Sequence, residues 1–276
     1  MSSSARGPSA RETTCEEPSD EAQRDPGAAV RPGTLRLGLL VLGMGLLAGS
    51  LSACESTQDE SARIGREGSH RTSAPTSLKL GAANREVRVS DTTVLSSGGR
   101  SAVAAKLTST AASSQADIPL LLTVTGTTGK SVYSNQAGGL EASLQRMALL
   151  RAHQSGWWVD DQVLTSQTAK AATVRVGTGR RVVGASVALR TRGVSTSEQG
   201  GISVVSGTVV NGSSTSQSKV PVFAVAQRGG KVIAAGRAVV PELPGRVGAS
   251  ASFQVFLVGN PAGAPIELTA VPTGVR

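Results

Sequence analysis

The chain has 276 residues, of which 39% are hydrophobic, 17% charged and only 2% aromatic, with a formal net charge of +9. That length holds two domains of ordinary size, whose cores must be built from Val, Leu, Ile and Ala. Its basic residues are spread singly, apart from Arg180-Arg181 and Arg190/Arg192. Without Lys/Arg clusters interleaved with stacking aromatics the pattern speaks against nucleic acid, and for attraction to anionic headgroups or wall polymers.

Residues 1–29 are polar, mixed in charge and contain Pro and Gly, a composition that cannot bury a core and is expected to form a disordered extension. Arg31 and Arg36 then lead into an uncharged apolar run that starts at Leu37 and closes on Leu51-Ser52-Ala53-Cys54. Basic flank, apolar middle and small-residue exit are the parts of a secretory signal. A spanning helix wants about 18 apolar residues. The run is borderline short for that, and its Gly and Ser toward the exit favour cleavage.

A cysteine directly behind such an exit resembles the lipobox of bacterial lipoproteins, and the Ala-, Gly-, Arg- and Val-rich composition points to the actinobacterial type. The resemblance implies that residues 30–53 are a lipoprotein signal peptide, with Leu51, Ser52 and Ala53 read by the processing peptidase. Cys54 would then carry a diacylglyceryl thioether and begin the mature protein, on the outer face of the cell membrane. Two long acyl chains exceed the marginal hold of one. Since a signal normally opens a chain, translation is expected to start nearer Val30. The chain's other cysteine, Cys15, lies upstream of the cut, so no disulfide survives and the fold must rest on burial alone.

Residues 54–76 have almost no apolar content and read as a flexible tether, which at this length reaches on the order of 25–30 Å. From there on, short runs rich in Val, Leu, Ile and Thr alternate with clusters of Ser, Gly and Asn, the pattern of an all-β sandwich. Strands are expected at 86–89, 102–107, 118–124, 173–176, 185–189, 203–210, 221–226, 232–240, 251–258 and 266–270. Gly139 to Leu150 carries a helical spacing at Leu140, Leu144 and Met147, yet its place in the chain argues for a turn leading into a strand.

That place is set by an internal repeat. Asp117-Ile-Pro-Leu-Leu-Leu lines up with Lys219-Val-Pro-Val-Phe-Ala, so that Pro119 matches Pro221, and Gly129-Lys130 matches Gly230-Lys231. Each proline should open its strand or lie at an edge, because it lacks a donor, and each Gly-Lys should turn a hairpin. A repeat of about one hundred residues is the length of an immunoglobulin-type sandwich. Two tandem immunoglobulin-like domains follow, at 77–166 and 172–275. The second, with Gly207-Thr-Val-Val-Asn-Gly212 and Leu243-Pro244-Gly245 before Phe253, weakly resembles bacterial FxLYD-type modules, although Val222-Phe223-Ala-Val-Ala226 stands where the eponymous string belongs. That resemblance implies an adhesive or spacer element.

Catalytic chemistry finds little to work with. With His70 in the tether, only His153 remains as a base, and Ala152-His-Gln-Ser-Gly156 reads as a loop. No nucleophile elbow, Walker loop or dinucleotide fingerprint occurs. Met147 and His153 are too few for a copper site, and the adjacent carboxylates of Asp160-Asp161 should point to opposite faces of a strand. The expectation is no enzyme, no metal and no cofactor. Trp157-Trp158 is the best candidate for a partner contact, since neighbours in a strand face opposite sides and one core takes only one of them. The other is either covered by the sister domain or offered to a wall polymer or envelope protein. The sequence therefore reads as a lipid-anchored, non-catalytic binding or structural module, with small-ligand or metal capture for an envelope transporter as the alternative.

Overall fold

The computed structural model describes residues 77–183 and 187–274, all within one compact unit. They form an all-β, sandwich-type fold of antiparallel sheets. In chain order the first strands are β1 (Val87–Ser97), β2 (Arg100–Ser109), β3 (Ser114–Gly126) and β4 (Ser131–Ser134). After a 3-10 turn at Ala142–Leu144 come β5 (Arg146–Leu150), β6 (Ser155–Asp160), β7 (Ala169–Val176) and β8 (Arg180–Val182). The rest are β9 (Leu189–Gln199), β10 (Ile202–Asn211), β11 (Gln217–Arg228), β12 (Lys231–Leu243), β13 (Ser250–Phe256), β14 (Val258–Gly259) and β15 (Ile266–Ala270).

Two strand sets share one connectivity. In the first, the sheet β1-β2-β6 faces a sheet in which β3 pairs with β4 and β5, and also with β7 and β8. In the second, the sheet β9-β10-β13 faces β14-β12-β11-β15. The repeat legible in the sequence is thus carried by β3 and β11, and the backbone repeats with it. Asp117 and Lys219, each two residues before its proline, take the left-handed conformation at φ 54° and 52°, and Gly129 and Gly230 close the following turns at φ 76°. Gln115 and Gln217, two residues earlier again, are both buried.

The two prolines do not open their strands as expected. Pro119 and Pro221 lie inside β3 and β11, at breaks in the neighbouring ladder. Opposite Pro119 the partner changes from β8 to β7, with the Gly177 N–H donating to the Pro119 carbonyl, and β15 pairs only from Val222 onward. A missing donor costs nothing where no neighbouring strand needs one.

Along the edge of β3 the sets diverge. β12 pairs with β11 from Gln217 to Arg228 as one long strand, whereas its counterpart is interrupted between β4 and β5. The gap is filled by Asn135, fully buried, whose side chain imitates a strand. Its Oδ1 accepts from Leu122 N at 2.8 Å, and its Nδ2 donates to the carbonyls of Leu120 and Leu144 at 2.9 and 2.7 Å. Gly139–Leu150 is accordingly a short 3-10 turn followed by a strand.

The division expected at residues 166–172 also differs. β7 and β8 pair with β3, so the first set continues to Val182, and Thr173–Val176 belongs to it rather than to the second. The chain can turn between β7 and β8 because Gly177 and Gly179 pass against backbone: a Cβ on Gly177 would meet the Leu80 carbonyl at 2.2 Å, and one on Gly179 the Ala116 carbonyl at 2.8 Å. The strand expected at 185–189 lies partly outside the described residues; β9 starts at Leu189 and runs through a Ser/Thr-rich stretch that has little apolar signal.

The sheets stack so that the β11–β12 sheet is covered on both sides. Every residue of β11 from Val220 to Ala226 is buried, the continuous apolar run that two-sided burial demands. Val220, Val222, Ala224 and Ala226 pack with β10 and β13, while Phe223 and Val225 join the core of the first set. β2 answers from the other side with Ala102-Val103-Ala104-Ala105, all buried, where small side chains let the layers approach.

Candidate functional site

The polar chemistry of the described residues gathers where the first set meets the β11–β12 sheet, and Trp157-Trp158 on β6 is its centre. Lys106 pairs with Trp157 and Ala105 with Trp158 across the β2–β6 ladder, so the two rings leave the sheet on opposite faces. Trp158, 0% exposed, enters the first set's own core and donates from its indole N–H to the Ser143 carbonyl at 2.7 Å. Trp157, 1% exposed, is covered by the second set: its N–H reaches Glu267 Oε2 on β15 at 2.9 Å, and the Lys106 ammonium lies 5.5 Å from its ring centroid. Both rings are therefore consumed inside the molecule. The expected role of Trp157 and Trp158 as a contact for another molecule is corrected by their burial.

Arg237 makes the second junction. It pairs with Phe223 across the β11–β12 ladder and so points at the first set. Its guanidinium is nearly buried, at 5% exposure, and meets Asp161 at 3.3 Å, Glu141 at 3.1 Å and the Ser143 hydroxyl at 2.7 Å. The Ser143 hydroxyl in turn donates to Glu141. A buried cation is tolerated only when paired and hydrogen-bonded, and here three groups from the first set do that work. Asp160 turns the other way, as adjacent residues on a strand must. It is fully buried and accepts from the Tyr133 hydroxyl at 2.9 Å and from Gln162 N at 3.0 Å.

Burial is the main reason the Asp160 carboxyl is pushed up to about 6, against the lowering effect of those two donors. Tyr133 is raised well above the ordinary phenol range, by burial first and then by the neighbouring Asp160 charge. A carboxyl poised near neutrality marks many active sites, but Asp160 lines neither of two clefts among the described residues. The first, about 190 Å³, lies between the sets and is lined by Asp117, Glu141, Arg146 and Lys219 among others. That is smaller than the 300–1,000 Å³ typical of small-molecule sites. A wider groove of about 540 Å³ runs between the β1–β2 turn and residues 161–166, where Arg100, Asp161 and the hydroxyls of Ser101, Thr165 and Ser166 line it beside Val163 and the exposed Leu164.

No protein-family model and no curated protein matches this chain. What the residues can do must be read from the residues themselves. His153 sits at a positive-φ position (φ 54°) on an exposed turn, and Met147 is buried in the core, so the structure does not bring them together as ligands. Among the described residues no three of His, Cys, Asp and Glu cluster as metal ligands would. Every buried side-chain nitrogen and oxygen among them has a hydrogen-bond partner. Leu51, Ser52, Ala53 and Cys54 lie outside the described residues.

The sequence reading missed Arg237, Glu141 and Asn135. Only Arg237 left a trace, as a lone charge inside the apolar run Val232-Ile-Ala-Ala-Gly-Arg237-Ala-Val-Val240, where an isolated cation implies a partner from elsewhere.

Proposed function

We propose that this chain is a cell-envelope lipoprotein, held on the outer face of the membrane by a diacylglyceryl group on Cys54, whose stacked sheets act as a non-catalytic binding or structural module. The observation that carries the reading is the string Leu51-Ser52-Ala53-Cys54 behind an uncharged apolar run with a basic flank. One feature of the fold supports it: at the junction Arg237, Glu141, Asp161 and Ser143 are bonded to one another, as in a spacer or scaffold. Its partners on this reading are the membrane and a wall polymer or envelope protein. Small-ligand capture would use the groove beside Leu164, which has the volume, but whose carboxylate, Asp161, is already paired with Arg237.

Mass spectrometry of the protein extracted from membranes tests the anchor. The expected N-terminal peptide begins at a doubly acylated Cys54, and a Cys54→Ser chain loses both the acyl mass and the cut. An unmodified peptide running from Leu51 through Cys54 in the mature protein would overturn the reading.

A further inference from the structure

Where the chain enters the fold, its cations are not evenly spread. Leu78 N donates to the Gln136 carbonyl behind β4; the Leu80 carbonyl then abuts Gly177, Ala83 bridges Gly177, and Asn84 N donates to the Val176 carbonyl, so residues 80–84 lie along the corner between β7 and β8. Antiparallel pairing there brings the Arg85 segment alongside Arg175, with Lys79 next to the Leu80 carbonyl that abuts Gly177. Arg180 and Arg181 open β8 after the same corner, and Arg88 is the second residue of β1. All six of these side chains are exposed. Among the described residues, Asp117 lies 3.6 Å from Arg180 and Glu86 3.1 Å from Arg181. Glu86 is also held by the Gln115 amide.

We propose that this corner, formed by Lys79, Arg85, Arg88, Arg175, Arg180 and Arg181, is a membrane-facing surface that docks on anionic lipid headgroups and orients the stack on the bilayer. The proposal rests on the anchor at Cys54 and adds to it a defined face. Ser77, the point at which the 22 residues after Cys54 reach the fold, lies two residues before Lys79 and eight before Arg85, and that length lets the corner touch the headgroups without strain. Each Lys or Arg near an anionic surface gains from its potential, and the gain fades within a Debye length of about 8–10 Å. Cations beside the point of attachment are therefore the ones kept within that range. Exposed cations that lack carboxylate partners also keep their full charge for the surface, which holds for Lys79, Arg85, Arg88 and Arg175 among the ion pairs of the described residues.

The test uses the mature acylated protein, reconstituted into vesicles of phosphatidylcholine alone or with phosphatidylglycerol. A fluorophore is placed on Ala82→Cys at the corner or on Ser197→Cys in the β9–β10 hairpin, and quenched by headgroup-labelled lipid. Quenching at residue 82 should rise in anionic vesicles, fall to the neutral-vesicle level in 0.5 M salt, and fall likewise in a variant carrying Lys79→Gln, Arg85→Gln, Arg88→Gln and Arg175→Gln. Residue 197 should not respond. A control that removes four exposed charges elsewhere, Arg190→Gln, Arg192→Gln, Lys231→Gln and Arg246→Gln, should behave as the parent. Equal quenching at both probes, equal loss in the control, or a response to soluble anionic wall polymer in place of the vesicle overturns the proposal. Salt-resistant flotation with the vesicles reports the acyl anchor separately, so a failed anchor and a failed surface give different results.

Discussion

The two strand sets differ most along one edge. In the second, β12 is continuous over thirteen residues; in the first, the equivalent edge is cut into β4 and β5, and the chain between them loops out. That loop supplies Glu141 and Ser143, which hold Arg237 of β12, while the Ser143 carbonyl receives Trp158. The interruption in one copy has become the clasp on the other. A repeat can thus diverge into a flat layer and the part that grips it, with Asn135 restoring the hydrogen bonds that the interruption removes.

Truncating the two tryptophans should break this comparison hardest. Trp157→Ala and Trp158→Ala are each expected to cost roughly 3–5 kcal/mol in denaturant unfolding, the range for large aromatic rings removed from a core. Their local effects should separate. Amide exchange should quicken in β11 and β15 for Trp157→Ala, and in β3 and β5 for Trp158→Ala. If Trp157→Ala lost less than about 1 kcal/mol, the second set would not be covering that ring as described.

Asn135→Ala comes next, at about 3 kcal/mol, because it strands the Leu122 N–H and the Leu120 and Leu144 carbonyls in the interior, and an unmet buried group costs roughly 1–3 kcal/mol. Calorimetric unfolding of the variant measures it. The second set has no equivalent weak point, since β12 meets the same need with backbone. A loss no greater than that of an exposed Asn→Ala change would mean that water replaces the amide and that the break in the edge is not sealed.

Much of this architecture was legible before any coordinates. The Pro119/Pro221 spacing gave the repeat, and the alternation of apolar and polar residues gave most strands, because both reflect local backbone and one-sided burial. Burial of both tryptophans was half legible: opposite faces followed from strand geometry, whereas the cover over Trp157 depends on Glu267, 110 residues away. β9 was hidden because its Ser/Thr-rich face is exposed and carries no hydrophobic period. The pairing of Arg237 with Glu141 and Asp161 was beyond reach for a related reason: an ion pair between residues 76 to 96 positions apart leaves no spacing to read. The boundary near residue 170 was misplaced because β7 looks by composition like any other Val- and Thr-rich strand, and only pairing decides to which set it belongs.

The smallest expected effect concerns pH and the face of β6 opposite Trp157. Asp160 titrates near 6 in the fold against an ordinary value near 3.8, so the folded state holds its proton where the unfolded chain has released it. Folding then takes up a proton between those values, and the contribution of the neutral carboxyl, complete below about pH 4, is lost as pH rises through 6. The parent should therefore lose on the order of 2 kcal/mol between pH 4 and 7 from this group. Asp160→Asn should flatten that slope and leave the variant more stable than the parent at pH 7–8, since its carbonyl can still accept from Gln162 N and its amide can face the Tyr133 hydroxyl. Urea unfolding at several pH values decides the matter. A slope unchanged in the variant would mean that Asp160 is not the group that sets the response.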